Sequence, residues 1–202
     1  MVRLDPRRLV QRFISRGIGA ARDRLRPLPG NADPIFRLPD TYQAAAIKLC
    51  DMTMCNSTKY LLRSGSWDFE ECHDQIADFA LAMLKECRNR GFPFYVHCGL
   101  RTDAEQNALF SRGVSKARGG QSAHNHGMAV DIVHFSRGWN LTEKEWGVIG
   151  LVGKEVARRR KIKVTWGGDW KFYDPAHWEL FGWSDRLRNG EMVRDESPSA
   201  LD

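Results

Sequence analysis

The sequence predicts an α+β fold in which a small, mainly antiparallel sheet is packed with helices. Three observations carry this reading. Apolar residues recur at three- and four-residue intervals in one long segment, two Thr-x-x-Glu capping boxes open further helices, and short β-branched or aromatic runs lie between them.

The elements follow in chain order. Residues 1–35 are expected to form a basic arm and linker. Residues 1–26 hold Arg3, Arg7, Arg8, Arg12, Arg16, Arg22, Arg24 and Arg26 against Asp5 and Asp23, a net of +6 that equals the formal charge of the whole chain. Leu9, Val10, Phe13, Ile14 and Ile18 fall near helical spacing between the arginines, which predicts a short basic amphipathic helix. Arginines interrupt any apolar core that a secretory signal needs. Arg26-Pro27-Leu28-Pro29-Gly30-Asn31, with Pro34 beyond it, reads as a linker. A folded domain is expected over 36–185 and a polar tail over 186–202.

Within the domain, the segment from Thr41 to Leu62 reads as helical with undefined ends. Phe69, Cys72, Ile76, Phe79, Ala80, Met83, Leu84 and Cys87 place one buried face on the next helix, with Asp68 as its cap and Gly91 as its stop. Phe94 to Cys98 reads as a strand leading to Arg101. Thr102-x-x-Glu105 then opens a helix that ends near Arg112 at Gly113. Met128 to Val133 has a strand's apolar and β-branched character. Thr142-x-x-Glu145 opens a helix containing Trp146, Ile149 and Val156, in which Gly150 and Gly153 allow close packing. Ile162 to Thr165 and His177 to Leu180 complete the strands.

Composition is that of a soluble globular protein, 42% hydrophobic and 28% charged, and no run approaches the roughly 20 apolar residues of a membrane span. The five cysteines (Cys50, Cys55, Cys72, Cys87, Cys98) form no tight framework and point to reduced thiols, with Cys72 and Cys87 in the core.

Two histidine- and carboxylate-bearing segments carry the chemistry. Ser122-Ala123-His124-Asn125-His126-Gly127-Met128-Ala129-Val130-Asp131 is answered by Asp174-Pro175-Ala176-His177, with His177 46 residues after Asp131. Two histidines and one carboxylate are the donor set of an open catalytic zinc site, and a carboxylate inside an apolar strand is costly unless paired or coordinated. On the residues alone, His124 and His126 compete evenly for the metal, and His134 is a further candidate. No cysteine is adjacent in the chain to this set. Trp166-Gly167-Gly168-Asp169-Trp170 and Phe172-Tyr173 supply aromatic walls and close approach around a polar cleft. Asp174 is placed to accept a proton from the attacking water, with Glu179 the second candidate base or the partner that orients a histidine ring.

Four segments in order, Gly99-Leu100-Arg101-Thr102-Asp103-Ala104-Glu105-Gln106, Ser122-x-His124-Asn125-x-Gly127-x-Ala129-x-Asp131, Trp166-Gly167-Gly168-Asp169-Trp170 and Asp174-x-x-His177-x-Glu179-Leu180, resemble the zinc D-Ala-D-Ala carboxypeptidase and L-alanyl-D-glutamate endopeptidase superfamily, the VanY-like group that includes phage endolysins. The resemblance implies a Hedgehog/DD-peptidase-like fold. It implies that His124, Asp131 and His177 bind Zn2+, that Asp174 is the general base, and that Arg101 holds substrate and stabilises oxyanion charge. Gln106, Ser122 and Trp178 are the candidates to line the substrate cleft, with a helix-surface position the equal alternative for Gln106. The chain departs from the family in having Cys98-Gly99-Leu100-Arg101 where Ser-Gly-Tyr-Arg is usual, and in the additional His126.

The expected function is therefore a zinc metallopeptidase that cuts the peptidoglycan stem peptide between L-Ala and D-Glu. The alternatives are a D,D-carboxypeptidase that trims terminal D-Ala and a non-catalytic cell-wall-binding or virion structural protein. Expected partners are the stem peptide and, through the basic arm, an anionic envelope surface or phage-particle components; no specific nucleic acid partner is expected. Synthesis in the bacterial cytoplasm without a signal peptide, with action at the wall after lysis or from a virion-like particle, is the expected setting.

Overall fold

The computed structural model describes residues 37–190 apart from 68 and 70. The basic arm, Asp68 and the end of the polar tail therefore lie outside the described residues.

Four strands form one antiparallel sheet: β1 (Phe94–Cys98), β2 (Ala129–His134), β3 (Val164–Trp166) and β4 (His177–Leu180), in the order β1-β2-β4-β3. Three short helices, α1 (Asp40–Leu49), α2 (Met52–Cys55) and α3 (Thr58–Ser64), replace the single helical segment the sequence suggests. Their breaks are set by caps. The Asp51 side chain accepts from Met54 N–H, and the Ser57 side chain accepts from Tyr60 N–H. The longer helices are α4 (Asp74–Asn89), α5 (Asp103–Ser111) and α6 (Glu143–Arg160), and α7 (Trp183–Arg188) follows β4.

The periodic residues predict α4 well from Ile76 onward, and Gly91, at φ 77°, ends it. Its start is corrected. The helix begins at Asp74 with His73 as its cap, so Phe69 and Cys72 precede it. Both Thr-x-x-Glu boxes form as read, Thr102 with Glu105 and Thr142 with Glu145.

One face of the sheet packs on α4 and α6. Trp178 is fully buried there against Phe79 of α4, with ring centroids 5.1 Å apart, and against Trp166 at 5.7 Å. The helix can approach this closely because two positions lack a Cβ. One built on Gly150 would meet Trp166 at 2.4 Å, and one on Gly153 would meet Trp178 at 2.3 Å. Ile76, Phe79, Met83, Ile149, Val152, Val130, Ile132 and Leu180 close the same core. Each such side chain contributes roughly 1.5–3 kcal/mol relative to exposure. Strand alternation then sends His177 and Glu179, the neighbours of Trp178, to the opposite face.

Candidate metal centre and active site

The centre assembles from the middle of the sheet outward. Asp131 of β2 pairs directly with His177 of β4 on one side and with Cys98 of β1 on the other. These three residues form a row across three neighbouring strands. His124 joins them from a 3-10 turn (Ala123–His126) just before β2. Ser122 caps that turn by accepting from His124 N–H, and Gly127 ends it in the left-handed region at φ 59°. A side chain at Gly127 is excluded by space as well as by φ, since its Cβ would lie 2.3 Å from the Glu71 carbonyl oxygen.

Three donor atoms converge. His124 Nε2 lies 3.2 Å from Asp131 Oδ1 and 3.1 Å from His177 Nδ1, and His177 Nδ1 lies 3.3 Å from Asp131 Oδ1. A zinc ion about 2.0–2.1 Å from each of three donors at tetrahedral angles spaces those donors about 3.3 Å apart, so the triangle matches the ion's geometry. The outer ring nitrogens orient it. His124 Nδ1 donates to the Gly99 carbonyl at 2.7 Å, and His177 Nε2 donates to Glu179 Oε2 at 3.1 Å. With those protons on the outer nitrogens, the inner nitrogens turn lone pairs toward the carboxylate. Such an arrangement requires positive charge at its centre.

The electrostatics agree. Burial opposes charging His124, but the Asp131 carboxylate overrides it and lifts the imidazole to about 10. His177 is raised against the same burial penalty by its bonds to Asp131 and Glu179. Asp131 is held well below the usual carboxylate range, because its two histidine partners outweigh its burial. In the absence of a metal, protons supply the charge the three donors call for.

Arg101, just before α5, reaches this centre through Asp131. Its Nη2 donates to Asp131 Oδ2 at 3.1 Å and to Cys98 Sγ at 3.3 Å, and its Nη1 donates to Gln106 Oε1 at 2.8 Å. Asn125 Nδ2 donates to the Arg101 carbonyl at 2.9 Å, tying the ligand turn to the arginine. Asp174 sits on the loop before β4, where its carbonyl accepts from His177 N–H at 3.1 Å and its N–H donates to Gly167 at 3.0 Å. A Cβ at Gly167 would lie 2.3 Å from the Asp174 carbonyl oxygen, so glycine is required for the two loops to meet. Burial and the Asp131 charge raise the Asp174 carboxyl above its ordinary range. The Trp170 ring covers His177 at 5.0 Å.

The structure thus brings His124, Asp131, His177, Arg101 and Asp174 to one region and sorts the remaining sequence candidates. His126 turns away from the triangle, stacks on Trp183 at 5.5 Å and bonds the Gly120 carbonyl at 3.0 Å. His134 is buried at the far end of β2 and accepts from the N–H groups of Ser136 and Arg137. Burial and Arg137 push it down to about 4. Glu179 orients His177, as one of its two readings has it.

Two expected cleft residues are corrected. Trp178 is wholly buried in the helix-packed core, because alternation along β4 opposes it to His177. Gln106 is also fully buried, and its amide spans Arg101, Ser115 Oγ and the Ala117 carbonyl instead of a cleft. Ser122 uses its hydroxyl within the ligand turn. Cys98 is the residue the sequence missed. No cysteine adjoins the motifs in the chain, yet the sulphur of Cys98 and the donor atoms of His124 and Asp131 all lie within 4.8 Å of one another.

Residues 115–180, which contain His124, Asp131, Asp174 and His177, match the family described as D-alanyl-D-alanine carboxypeptidase. The chain is 29% identical over 129 residues to the peptidoglycan L-alanyl-D-glutamate endopeptidase CwlK of Bacillus subtilis (strain 168), covering 54% of this chain and 74% of that protein. It is also similar to the solved L-Ala D-Glu endopeptidase ChiX of Serratia marcescens, with a TM-score of 0.49 and 29% identity over 58% of this chain and 86% of that one. With the four ordered motifs, the family match over residues 115–180 and the CwlK likeness support the resemblance of this chain to the D-Ala-D-Ala carboxypeptidase and L-alanyl-D-glutamate endopeptidase superfamily of peptidases.

Proposed function

We propose that this chain is a zinc-dependent peptidoglycan peptidase that hydrolyses the stem peptide at the L-Ala–D-Glu bond. The observation that carries the reading is the triangle of His124 Nε2, Asp131 Oδ1 and His177 Nδ1, with edges of 3.1–3.3 Å and both outer ring nitrogens committed elsewhere. Zinc bound by these three residues would polarise a carbonyl and lower the pKa of a water.

The protein's own groups do the rest. Asp174 is half-buried, and its carboxylate has no hydrogen-bond partner among the described residues, so it is free to take the proton of the attacking water and return it to the leaving amine. Arg101 is held by Gln106 and Asp131 with its guanidinium beside the donors, where it can stabilise charge developing on the carbonyl oxygen. Trp170 shields one side of His177 from water. The endopeptidase specificity draws support from the CwlK likeness.

A second reading, trimming of terminal D-Ala, is favoured by the description of the matching family. Defined muropeptides digested with and without a chelator, and read by mass spectrometry, separate the two. Release of the stem from L-Ala supports the endopeptidase, and loss of a single D-Ala supports the carboxypeptidase. Zinc-loaded protein that leaves both substrates intact overturns the catalytic reading and leaves a wall-binding role. Asp174→Asn is expected to keep the metal and lose about 10²-fold or more in kcat. We place the enzyme's action at the cell wall after phage-type lysis or from a virion-like particle, supported by the +6 charge of residues 1–26, which suits an anionic envelope surface.

A further inference from the structure

Strand alternation does not by itself bring Cys98 to this site. Phe94 and Val96 of β1 face the helix-packed core, opposite His134 and Ile132, and strict alternation would send Cys98 after them. Instead the register shifts between Val96 and Cys98, so that His97 is the extra residue of a bulge and Cys98 lies opposite Asp131. Re-aiming one side chain is what a bulge beside a functional site does. The sulphur arrives with the donor atoms of His124 and Asp131 within 4.8 Å, a group that does not extend to His177, so joining all three ligands needs a small shift of the Cys98 side chain; Arg101 Nη2 donates to the sulphur at 3.3 Å. It is also half-exposed, unlike the fully buried Cys55 and Cys87, so core packing does not account for it.

We propose that the Cys98 sulphur is a fourth protein donor to the metal centre, closing its coordination in the resting protein and giving way when peptide arrives. The inference rests on the metal-peptidase reading above and adds to it a latent state. Three donors leave one tetrahedral position for water; a fourth protein donor fills it, as in structural zinc sites. The charges balance. Two neutral histidines, the Asp131 carboxylate and a Cys98 thiolate match a divalent cation, and the thiol proton is released to solvent as the metal binds. No electron is transferred.

Cobalt loading of the full-length apoprotein tests this by absorption alone. The native protein is expected to show visible ligand-field bands together with a near-ultraviolet thiolate-to-cobalt charge-transfer band. Cys98→Ser should keep the former and lose the latter. Ligand-field bands without the charge-transfer band in the native protein overturn the inference while leaving the three-donor site intact; failure to take up cobalt at all overturns the metal reading as well. Adding a stem-peptide muropeptide should bleach the charge-transfer band, and a band that persists at saturation overturns the displacement step. Independently of any variant, iodoacetamide should label Cys98 about tenfold more slowly in zinc-loaded protein than in apoprotein, with exposed Cys50 as the internal control. Equal Cys98 labelling in the two forms overturns the proposal.

Discussion

The buried amide of Gln106 accepts a 2.8 Å hydrogen bond from Arg101 Nη1 and so fixes the guanidinium beside Asp131. Its own NH2 group is anchored by Ser115 Oγ at 2.7 Å and the Ala117 carbonyl at 2.9 Å, so the arginine is braced against the loop that follows α5. Gln106→Ala is expected to lower kcat/KM about 10- to 100-fold, chiefly through kcat, without changing metal content. Gln106→Glu keeps the acceptor for Arg101 while losing the donor to Ala117. If positioning of Arg101 is the role, it retains more activity than the alanine variant despite a similar loss of stability. Equal activity in the two would show that Gln106 acts only as a core residue.

The two histidines of the ligand turn should separate cleanly. His124→Ala removes one corner of the triangle and is expected to abolish stoichiometric zinc in metal analysis of the purified protein. His126→Ala removes only the stack on Trp183 and the bond to Gly120, so its zinc content should stay at the native level. Retained zinc in the first variant, or its loss in the second alone, would reverse the ligand assignment.

Protons and the proposed zinc ion would compete for the same centre, which gives a pH signature with a definite sign. His124 is raised in the folded protein to about 10 from an ordinary 6.5. The proton's contribution to apoprotein stability is therefore complete below about pH 6.5 and lost as pH rises toward 10. Zinc has most to restore where the proton has left. The increase in Tm on adding saturating zinc should accordingly be larger at pH 9 than at pH 6, by differential scanning calorimetry. An increment that shrinks with rising pH contradicts this account.

Gly153→Ala tests the packing that aligns β4. The new methyl would lie 2.3 Å from the Trp178 ring, and neither α6 nor the fully buried indole has room to yield. A loss of about 1–3 kcal/mol in chemical denaturation is expected, the usual cost of overpacking a core. An unchanged midpoint would mean that α6 shifts freely over the sheet.

Much of this site was legible in the sequence because its logic is local. The capping boxes at Thr102 and Thr142, the apolar run around Asp131 and the two-residue step from His177 to Glu179 each fix geometry over a few positions. The ligand set needed the family resemblance, since the residues alone left His124 and His126 even. The decisive fact was that the turn is a 3-10 helix, which gives the two histidines different directions where an extended chain would have aligned them. Trp178 and Gln106 were misplaced for a related reason. A polar or aromatic residue beside a motif can face the core as readily as the cleft, and only the register of β4 and the fold of the loop after α5 decide. Cys98 was invisible because a bulge leaves no mark in single-sequence periodicity.

The ligand row has an asymmetry of support. Asp131 and His177 stand on hydrogen-bonded neighbouring strands, so their separation is set by the ladder itself. His124 hangs from a short turn whose C-terminal end is pinned by the His73 N–H bond to the Gly127 carbonyl at 2.8 Å. The centre thus has one side set by the strand ladder and one held by turn contacts, which also include the Arg101 N–H bond to the His124 carbonyl at 3.0 Å and the His124 ring on the Gly99 carbonyl. A zinc ion held there as proposed could exchange without disturbing the sheet, and the contacts that pin the ligand turn, the His73 N–H bond to the Gly127 carbonyl among them, would bear on how long it stays.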